Sequence, residues 1–585
     1  MIGKDHRFFV ALVSCLFCFL IARALWVPWV HDECASLLWY AEPGVFLPPH
    51  AHADANNHIL SSALGALFIR LFGLSLLVSR LGSVLAFALY AFTVWRLGAR
   101  IRSRSLRWCA WPLLLFCPFL FEFFALFRGY GLELAFLAVA VNGGLRWART
   151  FSLPAFAQLL GGVALADLSV LALVPLWALL VAFLAAVLVF RRQGFQRRAL
   201  VLHSALWFVL GLLPLLWGLD LAFDLRAKGL LYHGSTTGLL PVTIGPLSNL
   251  VVGGDGPLIR WAVVLFCLFP LGTTIALNAW RRPLGIVSVF FMADVFMRIA
   301  LAWCLDVNYP EDRAALHLLW LVLFAVPLAL DELSTIRPRV RWLGPLLLLL
   351  PLRALLSANV DHTSLWPEQS APERFVVRLD EMQRKAGRSL VVGAYHQMEL
   401  TLPYMARHLG RTPVRPHAQG FPEGTHDVRI ADERHLAAAS IGFTEVDHSP
   451  GNRLHFLVRG TPLQRSLVHA DSTLRMDPND EFFRLWTGEA SHDVILVEVR
   501  CSINARAVSP DLLLVASTKD AEGHDLVYDA VRPSALGRMN TGEPATYSAR
   551  FESIPGAAHY ALYFWNATGH PVEISGVELR VFTLR

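Results

Sequence analysis

Two short polar stretches hold most of the chemistry available to the first sixty residues: Trp29-Val30-His31-Asp32-Glu33 and Asp54-Ala55-Asn56-Asn57-His58. Both follow an apolar run, Phe8–Val27, of about 20 residues, enough to cross a bilayer. Acidic side chains at the edge of hydrocarbon are expensive, so they read as functional by default. A carboxylate there can take a proton from an incoming hydroxyl, whose own pKa lies far above 7. Asp32 is the candidate base. Glu33 has three readings: it positions Asp32, contacts the molecule that brings the hydroxyl, or holds a divalent ion. The competing structural reading is that both acids cap a short helix, because negative charge favours helix N-termini.

Further along the chain, polar residues recur wherever the apolar pattern returns to the same membrane depth. They include Glu122, Arg128, Tyr130, Asp167, His233, Asp306, Glu311, Asp312 and Arg313. Acids and arginines together at an interface suit a phosphate beside a reacting group. Each has a plainer reading. Arg128 could snorkel, and Glu311, Asp312 and Arg313 could pair locally. His233 could belong to a flexible loop, Asp167 to a turn. Glu122 and Glu133 lie toward span ends, where they snorkel or pair, and stay outside the candidate site. The histidines His50, His52 and His58 match no zinc spacing and read as a solvated loop.

The elements that must position these groups are membrane helices. The chain has 585 residues, 55% hydrophobic and 16% charged, with a mean hydropathy of +0.49. That composition belongs to integral membrane proteins. The net charge of +6 does not call for nucleic acid, since most arginines before residue 340 fall in short loops on one side. Eight scattered cysteines do not make a disulfide framework, and Cys15 and Cys18 lie in an apolar run without His or acidic neighbours. Lys4, Arg7 and Ala22-Arg23-Ala24 resemble a cleavable signal. The preferred reading keeps the segment as the first span.

After an interfacial helix over His58–Phe72, the spans are Leu81–Leu97, Cys109–Phe124 and Gly131–Leu145. Leu153–Phe190 would reach about 57 Å as one helix, nearly twice the bilayer core. Arg146 and Arg149 stand at one end and Arg191, Arg192, Arg197 and Arg198 at the other. Two crossings with an outer turn at Asp167-Leu168-Ser169 are therefore required. Leu200–Leu219, Leu258–Ala279, Leu284–Leu305, Ala314–Leu330 and Leu343–Leu356 follow, with an outer loop over Asp220–Pro257. The count is about eleven spans, N-terminus inside and C-terminus outside. Asp294 and Arg298 are the main charges within spans, one helical turn apart and able to pair.

From Asp361 the composition becomes that of soluble protein. Helices over Pro372–Lys385 and Met398–Leu409, with a strand over Ser389–Gly393, suggest an α/β module reaching Gly460. Short strands at Val494–Val499, Leu512–Ser517, Leu526–Asp529, Tyr547–Phe551, Tyr560–Trp565 and Val577–Leu584 indicate a β-sandwich. Turn residues such as Ser509-Pro510 separate them. Tyr560, Tyr563, Phe564 and Trp565 alternate, so some are core and some face outward. The fold class is mainly α and polytopic, with a transmembrane domain over 1–357, an α/β module over 358–460 and a jelly-roll-like sandwich over 461–585. The sequon Asn566-Ala567-Thr568 carries no functional reading.

The Asp-Glu pair after the first span, followed by a helix opening with Asn57-His58, resembles the GT-C superfamily of membrane glycosyltransferases. Relatives in that superfamily include protein O-mannosyltransferases, bacterial aminoarabinose transferases and lipopolysaccharide galacturonosyl transferases. Phe127-Arg128-Gly129-Tyr130-Gly131-Leu132 is similar to the Arg-Gly-Tyr-x-Leu motif of bacterial members. Tyr309-Pro310-Glu311-Asp312-Arg313 is similar to their Tyr-Pro-x-x-Arg element. The resemblance covers roughly residues 8–357. It implies a polyprenyl-phosphate sugar donor, an inverting mechanism with Asp32 as base, and donor-phosphate contacts from Arg128 and Arg313. It leaves His31, Asp54, Asn57, His58, Tyr130, His233 and Glu311 as candidate substrate contacts. The first loop has Asn56-Asn57-His58 where aminoarabinose transferases carry Lys-Pro-Pro, so that sugar specificity is not carried over.

The expected partners are a lipid-linked donor, a glycan, lipid or protein acceptor, and membrane lipids, with no nucleic acid. The sequence names no cofactor and leaves a divalent cation open. The expected place is a bacterial inner membrane with periplasmic C-terminal domains. A transporter or flippase, or a polymerase or ligase of lipid-linked glycans, is the competing function.

Overall fold

The computed structural model describes residues 3–190, 196–505, 512–536, 542–567 and 571–585. Arg191 and Arg192, the turn Ser509-Pro510, and Thr568 of the sequon lie outside them. The chain divides into two compact units. One comprises the chain up to Trp26 together with Gly44–Val360; the other joins Val27–Pro43 to Asp361–Arg585. The change of unit after Val360 coincides with the change of composition. The placement of Val27–Pro43 does not follow from composition and is a finding of the structure.

The first unit is helical. Among the described residues, seven helices are long and apolar enough to cross a membrane, or eight if Arg104–Leu115 and Pro118–Ala125, bent by 50°, form one broken span. The bend falls at Cys117-Pro118, where proline removes a backbone donor and clashes with the preceding turn. The long apolar run does divide in two. Leu153–Ser169 ends at an extended Val170, and a new helical run starts at Leu171. Arg197–Ala227 is a continuous helical run of 31 residues, rising about 46 Å, so its last turns extend past the hydrocarbon. The outer loop expected from Asp220 is therefore partly helical, and Gly245–Val252 adds another helix within it. Leu343–Leu356 is not one α-helix. Pro338–Leu348 is 3-10 and only Leu349–Leu356 is α; Pro345 falls inside the 3-10 stretch, where it removes a donor that the α-helical ladder would need.

Loops assigned to one face by their arginines meet one another. Arg102 and Arg282 both pair with Glu332 at 2.5 Å, and Asp331 accepts the Arg102 and Ser103 amides. The first helix, Lys4–Trp26, is tied in by the buried Arg23–Glu122 pair at 2.6 Å and by Arg23 to the Asn359 carbonyl. Deeper, the Trp320 indole donates to the Tyr90 hydroxyl, which donates to the Leu114 carbonyl. That chain stitches Leu316–Ile336, the most buried long helix, to Leu76–Gly98 and Arg104–Leu115. Ile59–Phe72 turns Ser61, Ser62 and Gly65 inward and leaves Leu67, Leu71 and Phe72 exposed, as a lipid-facing helix does.

The second unit contains a four-stranded mixed sheet. Val392–Ala394 pairs in parallel with Val428–Asp432, which pairs antiparallel with Leu454–Arg459 and then Phe443–Ser449. Beyond it stand two antiparallel four-stranded sheets. One orders Ala545–Phe551, Val494–Ala505, Val572–Leu584 and Arg465–Asp471; the other orders Phe482–Glu489, His559–Asn566, Leu512–Lys519 and Asp525–Val531. Their inner faces share one core, with Val497, Val499 and Ile503 packed in a cluster with Leu514, Leu562 and Phe564. Tyr560 and Phe564 point inward and are fully buried, whereas Tyr563 and Trp565 are half-exposed. Trp565 stacks on the exposed Phe482 ring at 5.9 Å.

Candidate functional site

The residues singled out in the first unit fall into two groups. In the first, Arg128 is buried and its Nη2 donates to Asn56 Oδ1 at 2.9 Å. Its guanidinium also lies 5.9 Å from the Tyr130 ring centroid. The Tyr130 ring meets the His58 ring edge-on at 4.9 Å. His58 Nδ1 lies 2.7 Å from the Ser169 carbonyl, so its N–H donates there. The Arg-Gly-Tyr segment, the Asn-Asn-His segment and the turn after Leu153–Ser169 thus converge. Gly129 makes this approach feasible. A Cβ at that position would lie 2.0 Å from the Ser169 oxygen and 2.8 Å from His58 Nδ1. Asn57 Nδ2 donates to the Phe46 carbonyl, and Asp54 accepts the Asn56 amide.

The second group joins the His233 loop to the Tyr-Pro-x-x-Arg element. The Tyr309 amide donates to the Ser235 carbonyl, Asn308 Nδ2 donates to the His233 carbonyl at 3.2 Å, and Thr243 donates to the Pro310 carbonyl. His233 and Glu311 are exposed and Arg313 is half-buried in the turn Asp312–Ala315.

His31, Asp32 and Glu33 belong to the second unit. They open a six-residue helix, His31–Ser36. Glu33 is fully buried, and its Oε2 accepts the Val30 amide at 3.1 Å. That is the reaching-back half of a capping box. Asp32 is half-exposed and adjacent. The segment is docked by its neighbours. His31 Nδ1 lies 3.0 Å from the Gln397 carbonyl, Trp29 packs edge-on against Tyr404 and His408, and Glu42 takes Tyr404 and Arg407. Burial pushes the His31 pKa down, and the neighbouring Asp32 charge opposes the shift.

Two features were missed at the level of sequence. Asp294 and Arg298 do pair, at 3.1 Å, but the pair is part of a larger buried group. His317 Nε2 lies 3.1 Å from Asp294 Oδ2 and 2.8 Å from Arg298 Nη2, and His317 Nδ1 lies 3.5 Å from Glu133 Oε1. Arg298 also donates to the Ala172 carbonyl. Glu133 does lie in the first turn of its helix, Tyr130–Thr150, but it is fully buried and faces His317 rather than snorkelling. The second feature is a cleft lined by Asp54, Asn57, Asp167, Trp217, Asp224 and Lys228. Asp167 is 4% exposed, and its Oδ1 is buried without a hydrogen-bond partner among the described residues. An unsatisfied buried polar atom costs about 1–3 kcal/mol, which marks Asp167 as more than a turn residue. Among the described residues, no group of three or more His, Cys, Asp or Glu is arranged to hold a metal ion.

No family model matches the chain, and no curated protein matches it. Among solved structures, the chain is similar to ArnT from Cupriavidus metallidurans bound to undecaprenyl phosphate, at 14% identity and a TM-score of 0.44, over 77% of this chain and 97% of that one. It is similar to the arabinosyltransferase EmbB from Mycobacterium smegmatis at 13% identity and a TM-score of 0.36, over 98% of this chain and 64% of that one. The oligosaccharyltransferase of Archaeoglobus fulgidus aligns at 11% identity and a TM-score of 0.37, over 97% of each chain. At TM-scores below 0.5 these likenesses carry no weight for fold or activity.

Proposed function

We propose that the chain is a GT-C glycosyltransferase that moves a sugar from a polyprenyl-phosphate donor to a hydroxyl-bearing glycan, lipid or protein. The observation that carries this reading is the meeting of Arg128, Asn56, His58 and Tyr130 in a chain of membrane-crossing helices. A buried guanidinium suits a phosphate in a region of low dielectric.

The acceptor oxygen attacks the anomeric carbon as the bond from that carbon to the phosphate oxygen breaks. Attack from the opposite face inverts the configuration. Asp32 takes the hydroxyl proton, and the polyprenyl phosphate leaves with its charge met by Arg128, with Arg313 as a second contact. The phosphate is a weak base and needs no acid, so one carboxylate suffices, unlike the paired carboxylates of glycoside hydrolysis. Glu33 holds the turn that presents Asp32 through the Val30 amide. The setting is a bacterial inner membrane, N-terminus cytoplasmic and C-terminal domains periplasmic, the arginine-rich loops facing the cytoplasm.

The buried group of Glu133, Asp294, Arg298 and His317 favours a second reading, a transporter or flippase, because such proteins carry charge within the membrane. The transferase reading is preferred because Asp294, Arg298 and His317 bond one another, with His317 Nδ1 3.5 Å from Glu133 Oε1, rather than line a path. Purified protein incubated with polyprenyl-phosphate sugars and acceptor lipids or glycans separates the two. Sugar transfer in detergent supports the transferase; lipid movement across vesicles without transfer supports the alternative.

A further inference from the structure

The cleft lined by Asp54, Asn57 and Asp167 has no part in the transfer step itself. Its walls are the first loop at Asp54 and Asn57, the end of helix Leu153–Ser169 at Asp167, and helix Leu213–Ala227 at Trp217. Asn56, next to Asn57, holds Arg128, and Ser169, two residues past Asp167, holds His58. The cleft therefore adjoins the group assigned to the donor phosphate.

Three observations describe what it would take. Asp167 is nine-tenths buried and its Oδ1 lacks a partner among the described residues, yet it lines the cleft. Gly218 lets the carboxyl sit tightly against the neighbouring helix, since a Cβ there would be 3.1 Å from Asp167 Oδ2. Trp217 supplies an aromatic wall beside it. Lys228 does not offset the acid, because it is bound to Asp224 at 2.7 Å. A carboxyl wanting donors, a side-chain amide and an indole match a ligand with several hydroxyls and an apolar C–H face. With Asp54 in the wall and the Lys228 cation engaged, a ligand carrying its own carboxylate or phosphate is disfavoured.

We infer that this cleft seats the donor's sugar ring, that Asp167 accepts its hydroxyls, and that the sugar carries no acid group. The inference rests on the polyprenyl-phosphate reading above. The test uses the full chain in detergent and measures affinity for undecaprenyl phosphate and for its glucosyl, mannosyl, arabinosyl and galacturonosyl esters. At least one neutral ester should bind tighter than undecaprenyl phosphate alone, and the galacturonosyl ester should not. Asp167→Asn and Trp217→Leu should each remove roughly tenfold of that gain while leaving undecaprenyl phosphate binding at the parent value. Retained undecaprenyl phosphate binding also shows that the variants fold. The inference is overturned if the galacturonosyl ester binds best, or if the gain survives both substitutions. It is equally overturned if variants with the parent's melting temperature lose both kinds of lipid, since the cleft would then hold the phosphate. Failure of the parent to bind undecaprenyl phosphate or any ester would instead strike the donor reading itself.

Discussion

Arg128 Nη2 bonds Asn56 Oδ1 at 2.9 Å, joining side chains that are 72 positions apart. The Arg-Gly-Tyr segment and the Asn-Asn-His segment are recognisable separately in the sequence, but only the fold makes them one place. Arg128→Ala should weaken undecaprenyl phosphate binding by about 10- to 100-fold, the worth of a charge-assisted hydrogen bond at 1.5–3 kcal/mol. Arg128→Lys should recover part of it, keeping charge without the fork. Lipid titration in detergent measures both; equal affinity in all three proteins would remove Arg128 from the donor site.

Gly129→Ala should disrupt the same place sterically. Its Cβ would meet the Ser169 carbonyl at 2.0 Å, and backbone cannot yield as a side chain can. Overpacking of this kind costs about 1–3 kcal/mol. The expected readout is a lower melting temperature together with weaker lipid binding; a stable variant with parent affinity would contradict the close approach.

The buried Glu133–His317–Asp294–Arg298 group should respond unevenly to substitution. Removing one partner, as in Arg298→Leu, leaves a charge uncompensated and should cost about 3–5 kcal/mol. Replacing both partners, Asp294→Leu with Arg298→Met, should recover most of that loss. Thermal unfolding of the single and double variants checks the sign. A double variant no better than the single would mean that His317 and Glu133 cannot do without the pair, against this expectation.

The second unit should be acid-labile. Burial, then Arg550, Arg415 and Arg465, hold His417 well below the ordinary imidazole range, and burial with Arg550 and Arg429 does the same to His426. Both stay neutral in the fold and protonate on unfolding below about pH 6.5. The unfolded chain then binds more protons, so stability present above that pH is lost as pH falls. Melting temperature should drop from pH 7.5 to pH 5, and His417→Gln should flatten the drop; parallel profiles would refute the assignment.

Much of the helical unit was legible because apolar runs and arginine-rich loops are local signals. The division of Leu153–Phe190 followed from its length and basic ends, and the structure breaks it at Val170, one residue past the expected turn. What was not legible depends on contacts between distant residues. Glu133 and His317 each stand alone in an apolar run, and their meeting 184 positions apart leaves no local trace; an acid inside an apolar helix was the only available sign. Likewise nothing in Val27–Pro43 announces Tyr404 and Arg407 as the partners of Glu42. Glu33 shows the converse case: the helix-capping reading was available from the sequence, and the Val30 amide bonds its side chain.

The most direct measurement is release of free undecaprenyl phosphate from a panel of undecaprenyl-phosphate sugars in the presence of acceptor lipids or glycans. The parent protein should release it from at least one donor with inversion at the anomeric carbon, and Asp32→Asn should slow that release by roughly 100- to 10,000-fold while folding and donor binding persist. Release by Asp32→Asn at the parent rate, or none from any donor with the parent, would contradict the account.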